Sequence, residues 1–114
     1  QDDQALEYYR QITYIDPYEV SAYEGMASIH RDAGRYDQAV AALQAVCLLR
    51  PNSPDAWTKM AMMRYQAGRS RQDKGELARA AEAADKALTF DPECQAKTVK
   101  EYIQEALEEL GSPK

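Results

Sequence analysis

The chain has 114 residues, 45% hydrophobic and 29% charged, one domain's worth of sequence with enough apolar material for a core. Its formal net charge of −5 argues against a general nucleic-acid binder or a protein held on an anionic membrane. No apolar run approaches the roughly 20 residues of a membrane span.

A cytoplasmic location is the expectation; no secretory signal pattern opens the sequence, but that does not prove it, because the first residue is Gln1 and not Met, as in a processed or cloned fragment. Two cysteines, Cys47 and Cys94, allow at most one bridge. Cys47 lies on an apolar stripe, where a free thiol behaves as a small hydrophobe, so both thiols are expected to be free.

Residues 1–4 are polar and are expected to fray. From 5 to 16, Ala5, Tyr8, Tyr9, Ile12 and Ile15 recur at helical spacing and stop at Asp16-Pro17. Asp16-Pro17-Tyr18-Glu19 reads as a capping-box-like start for the next helix. The stretch 20–53 then holds two apolar stripes. The first is Val20, Tyr23, Met26, Ala27 and His30; the second is Tyr36, Ala39, Val40, Leu43, Val46 and Cys47. Gly34 lies between them, a residue that lets a helix end in the left-handed conformation, and Arg50-Pro51 closes the unit.

Over 54–92 the pattern returns. Ser53, Pro54 and Asp55 are an N-cap, a first-turn proline and a dipole-favoured acid. Trp57, Met60, Ala61 and the Arg64 stem form one stripe, ending at Ala67-Gly68. Leu77, Ala80, Ala81, Ala84, Ala87 and Leu88 form its partner, ended by Asp91-Pro92. Residues 69–75 between them are expected to form an inserted loop. A last helix over 94–110 puts Ala96, Val99, Ile103, Ala106, Leu107 and Leu110 on one face and four glutamates elsewhere, the pattern of a cap on a stack of helices. Gly111 is read as its stop and residues 112–114 as a tail.

The proline spacing turns these helices into a repeat. Pro17 and Pro51 are 34 residues apart, and Pro51 and Pro92 are 41 apart, seven more. In 20–53, Tyr23, Met26-Ala27, His30, Ala39, Leu43, Val46 and Pro51 stand where the tetratricopeptide repeat family carries its aromatic, large–small pair, late aromatic, small–bulky–small series and closing proline. Trp57, Met60-Ala61, Arg64, Ala80, Ala84, Ala87 and Pro92 do so in the next unit. Gly34 to Ala39 resembles the family's turn into its second helix. His30 and Arg64 replace the late aromatic, Ala84 replaces a bulky residue, and seven residues are extra. The resemblance implies an all-α, right-handed solenoid of helical hairpins, about six antiparallel helices in one domain spanning 1–114.

It also implies a protein-interaction module, with a partner peptide or helix held in the concave groove lined by the first helix of each repeat. Carried onto this sequence, the groove candidates are Glu24, Ser28 and Arg31 in one unit and Thr58, Lys59, Met62 and Tyr65 in the next, with Ser21, Gly25, Asp32, Asp55 and Gln66 beside them. A solvated face is the bland reading of most of these. Met62 and Tyr65, an adaptable thioether and an amphipathic ring off the apolar stripe, suit a contact surface better. Family members that grip acidic chaperone tails use Lys and Asn where Glu24 and Ser28 stand here, and a carboxylate facing a carboxylate is repulsive, so that partner is disfavoured.

A second candidate is basic. Arg64, Arg69, Arg71, Lys74 and Arg79 outweigh Asp73 and Glu76 within 64–79, and the four from Arg64 to Lys74 could dock an acidic peptide or phosphate. Catalysis has little support. His30 is the one histidine, it lies on a packing stripe, and no nucleophile–base set, phosphate-cradling loop or metal-ligand spacing is present. Neither an enzyme nor a cofactor is expected, and the partner is a protein rather than nucleic acid or membrane. The alternative role is structural: a segment of a longer solenoid, or a scaffold that self-associates through Tyr8, Tyr9 and Ile12 of its N-terminal half repeat.

Overall fold

The computed structural model describes residues 2–111, in six helices: α1 Asp2–Ile15, α2 Val20–Asp32, α3 Tyr36–Leu49, α4 Pro54–Arg71, α5 Lys74–Phe90 and α6 Ala96–Gly111. Connections of a few residues force each helix back along its predecessor, and successive helices pack on one another, with α4 also touching α6. The result is a short solenoid of helical hairpins, 50 × 30 × 17 Å. The polar residues Asp2 to Gln4 are helical and continuous with the rest of α1. The expected tail at 112–114 and residue Gln1 lie outside the described residues.

Small residues set how closely the helices approach. Ala27, Ala39, Ala61, Ala80 and Ala87 are all buried, and around them sit Leu43, Val46, Met60, Leu77 and Ile103. Ala84, where the repeat pattern asks for bulk, is fully buried too, so α5 lies close to its neighbours along most of its length. Gly25 stands against the ring of Tyr9, where a Cβ would collide with the ring, and this contact seats α1 on α2.

Two aromatics tie successive units together in the same way. The hydroxyl of Tyr23 donates to the carbonyl of Pro17 at 3.1 Å, and the indole N–H of Trp57 donates to the carbonyl of Pro51 at 2.8 Å. Both pairs are six residues apart, and the two aromatics are one repeat apart. Each ring packs its body on the core and spends its polar tip on the carbonyl that the proline turn leaves free. Trp57 is therefore half-buried, with one edge open, rather than enclosed between helices.

The seven extra residues form no loop. The α2–α3 turn closes with Gly34 at φ +78°, Gly34 N–H donating to Arg31 O at 2.9 Å and Arg35 N–H to His30 O at 2.8 Å. The α4–α5 turn repeats this pattern at Gln72, φ +54°, whose N–H donates to Arg69 O at 3.3 Å while Asp73 N–H donates to Gly68 O at 2.9 Å. Counting from the repeat positions, the turn has moved four residues along α4, and the remaining three lengthen the start of α5. Seven residues are close to two turns at 3.6 per turn, so each arm gains about one turn and every apolar stripe keeps its face. The inserted-loop expectation is corrected accordingly.

Gly68, expected at a helix end, is inside α4 and buried. A Cβ there would meet Leu77 Cγ at 2.8 Å and the Leu77 backbone nitrogen at 3.1 Å, so the glycine serves close approach of α4 and α5. Ser53 caps α4 by accepting from Ala56 N–H at 3.1 Å, and Asp73 caps α5 by accepting from Glu76 N–H at 3.2 Å. The start of α2 differs from expectation. Asp16 accepts from Tyr18 N–H at 3.0 Å in a local turn, Glu19 makes no side-chain cap, and its carboxylate accepts from the Ser21 hydroxyl instead.

Candidate functional site

The groove candidates come from two helices, α2 and α4, that lie side by side on one face. Glu24, Ser28 and Arg31 are spaced by about one turn on α2; Lys59, Met62 and Gln66 are spaced likewise on α4. Together they line a shallow concavity of about 170 Å³, floored by Ala27, Leu43 and Met63. Five of the seven candidates are thus brought together.

One charge pair crosses this groove, and Lys59 also pairs within α4. The Lys59 ammonium lies 2.8 Å from Glu24 and 3.1 Å from Asp55. Its pKa is held above the usual lysine value, chiefly by the hydrogen bond to Glu24, so Lys59 is charged throughout the physiological range. Arg31 turns to the neighbouring Asp32 at 3.1 Å. The groove therefore offers a neutralised pair in its middle, the Met62 thioether beside it, and Ser28 and Gln66 as uncharged hydrogen-bonding groups.

Thr58 and Tyr65 lie elsewhere, on the side of α4 that meets α6. The Thr58 hydroxyl donates to Pro54 O at 2.7 Å and lies 3.8 Å from the Cys94 sulfur. Tyr65 stacks on Tyr102, ring centroids 6.1 Å apart, and accepts a hydrogen bond from Arg69. Apolar spacing alone left Tyr65 free because Tyr102, its partner, is 37 residues away in the sequence.

The basic candidates do not converge. Arg64 lies 2.9 Å from Glu76, a pair with side chains only 17% and 13% exposed. Arg71 reaches Asp37 at 2.8 Å, Arg69 sits 5.8 Å over the Tyr65 ring, and Lys74 makes no ion pair among the described residues. Continuing α4 to Arg71 turns these side chains by about 100° per residue, so Arg64 and Arg71 share one face and Arg69 leaves from another. Three of the four are spent on internal contacts that bind the long hairpin to its neighbours.

His30 is half-buried, and its Nδ1 accepts from Arg35 Nε at 2.9 Å. Burial, then the charges of Arg35 and Arg10, hold its pKa below the usual histidine value, so it is neutral at pH 7. Cys47 and Cys94 are both free, and among the described residues no three His, Cys, Asp or Glu side chains lie close enough to share a metal ion.

A larger concavity, about 640 Å³, lies between α3 and α5 on the far side of α4. None of the groove candidates lines it, and of the basic candidates only Arg64 does. The one sequence signal for it was Leu48, an apolar residue off the α3 stripe and 81% exposed in the structure.

Set beside known proteins, the chain matches a model described as tetratricopeptide repeat over residues 20–63 and a second so described over 61–94. Among curated proteins none matches it. No helix among the described residues is long and apolar enough to cross a membrane.

Proposed function

Because the chain belongs to the tetratricopeptide repeat family, whose repeats mediate protein–protein interaction, we propose that it holds a partner peptide in the groove between α2 and α4. The observation that supports this reading is the convergence of Glu24, Ser28, Arg31, Lys59 and Met62 on one concavity between two rigid helices. Rigid walls lower the ordering entropy that opposes binding. The partner would set an apolar side chain on Met62 and offer backbone groups to Ser28 and Gln66. A bare carboxylate is disfavoured beside Glu24, whose charge Lys59 already balances. Thr58 and Tyr65 would act by bracing α4 against α6 rather than by touching the partner.

Selection of displayed 12-residue peptides on the protein tests the groove. Enriched peptides should lose at least tenfold in affinity on Met62→Glu, since a buried charge opposes an apolar anchor by more than about 1.4 kcal/mol. Peptides indifferent to Met62→Glu and to Ser28→Arg would remove the groove from consideration.

A second reading rests on α1. Tyr8, Tyr14 and Ile15 are 63%, 90% and 82% exposed, large apolar side chains interleaved with Glu7 and Gln11 on the open side of α1, where a further helix or another copy could pack. Sedimentation over a wide concentration range checks it: mass rising with concentration, and restored to one chain by Tyr14→Glu with Ile15→Asp, supports self-association, and a constant monomer mass opposes it.

A further inference from the structure

The 640 Å³ concavity on the outer side of α4 has a composition that the inner groove lacks. Trp57, Met60 and Arg64 lie on one side of α4, and Lys59, Met62 and Gln66 lie about half a turn round it, so the two concavities are back to back. The outer floor is apolar: Leu48 from α3, Pro51, Trp57 and Met60, with Ala83 small enough to leave the space open. The Trp57 ring is fixed by its bond to Pro51 O and is a rigid platform. Cys47 also lines the floor, and burial pushes its thiol up to about 11, against the opposing pull of Arg64 and Lys86, so the floor carries no thiolate.

The rim is positive in a chain of net charge −5. Arg64 is committed to Glu76, and Arg79 reaches the same carboxylate only at 3.7 Å with half its side chain exposed. Lys86 makes no ion pair among the described residues; its ammonium lies 4.9 Å from the Trp57 ring centroid. Glu82 is the opposing charge on this rim, and it is not paired with either cation. Lys86, held only by the ring, and Arg79, loosely paired to a carboxylate that Arg64 already holds, therefore flank an exposed leucine and an indole.

We propose that this outer groove docks an acidic amphipathic segment of a partner protein, with an aliphatic or aromatic side chain on Leu48 and Trp57 and its carboxylates on Lys86 and Arg79. An apolar anchor alone would leave Lys86 with no carboxylate and Arg79 with only its loose share of Glu76, and a basic segment would be repelled by them. The match of a hydrophobic floor to a cationic rim selects a segment in which the two features sit about one helical turn apart. The site is independent of the inner groove and can be occupied together with it.

Trp57 is the one tryptophan in the chain, so its fluorescence reports this groove directly. Peptides enriched from the 12-residue library are sorted by whether they quench and shift Trp57 emission, and each that does is remade with its acidic residues as amides. The expected class has Leu, Ile or Phe beside Asp or Glu and loses affinity when amidated. Lys86→Glu should weaken it about tenfold, Leu48→Glu should abolish it, and Lys97→Glu, the same charge change on α6, should leave it unchanged. Leu48 and Lys86 are exposed, and circular dichroism confirms that each variant is folded. Emission unmoved by every enriched peptide, a responding class without acidic residues, or one equally tight on Lys86→Glu would each overturn the assignment.

Discussion

The two hairpins, α2–α3 and α4–α5, close with the same backbone hydrogen bonds, yet they are built from different residues. The first uses Gly34 in the left-handed position and has open space around it; the second uses Gln72 there and keeps its glycine, Gly68, one turn earlier for contact with Leu77. The first fills the inner side of its turn with half-buried Tyr36, the second with Leu77, which is fully buried. The longer hairpin adds a mostly buried ion pair, Arg64–Glu76, that the shorter one lacks. Length was thus added as whole helical turns and sealed by a glycine contact and a charge pair, so the stacking faces never changed.

If that account of the long hairpin is correct, Leu77 is its keystone. Leu77→Ala should cost about 3 kcal/mol, whereas Tyr36→Ala, at the matching place in the short hairpin, should cost clearly less; urea unfolding of the two compares them. Equal losses would mean that the hairpins are sealed alike.

The ion pair comes next. Arg64→Met leaves Glu76 with only the distant Arg79, and about 2 kcal/mol should be lost. Arg71→Met, which removes a pair to an Asp37 side chain that is 80% exposed, should cost less than about 1 kcal/mol. Thermal unfolding of both variants would blur the contrast if the losses matched.

The glycines sharpen it further. Gly68→Ala should cost about 1–3 kcal/mol despite alanine's better helix propensity, because the new methyl meets a Leu77 that has no room to move. Gly34→Ala meets nothing and should cost about 1 kcal/mol from backbone strain alone. Conversely, Gln72→Gly should raise stability by roughly 0.5–1 kcal/mol by relieving the left-handed glutamine.

The smallest effect belongs to the short hairpin's own tie, His30 to Arg35. Because the folded-state pKa of His30 is lowered, its contribution is present above the unfolded value of about 6.5 and is lost as pH falls through that value towards the folded one. Stability of the wild type relative to His30→Gln should therefore decline between neutral pH and pH 5; a flat difference would show that His30 is not held neutral.

Much of this was legible in the residues themselves. Helical stripes, the Ser53-Pro54 start, Gly34 and the proline spacing are local signals, and they set the number of helices, their order and the buried alanines. The inner groove was legible to the extent that repeat position fixes a residue's face, which is why Glu24, Ser28, Arg31, Lys59 and Met62 meet. Misreadings arose where a residue's environment is supplied from far along the chain. Arg64 and Arg71 looked like a basic patch because Glu76 and Asp37 become their partners only after folding, and Tyr65 looked free because Tyr102 arrives with α6.

Periodicity in the sequence determined by itself that this chain is a stack of helical pairs, since 3.6-residue spacing and terminators act within a few residues of one another. Only the tertiary structure decided that seven extra residues extend two helices instead of forming a loop, because a turn can be placed at Gly34-like or Gln72-like residues and packing on Leu77 chooses between them. It also decided that a wide apolar groove opens behind α4, since that space depends on how far apart α3 and α5 stand, a distance no local pattern encodes.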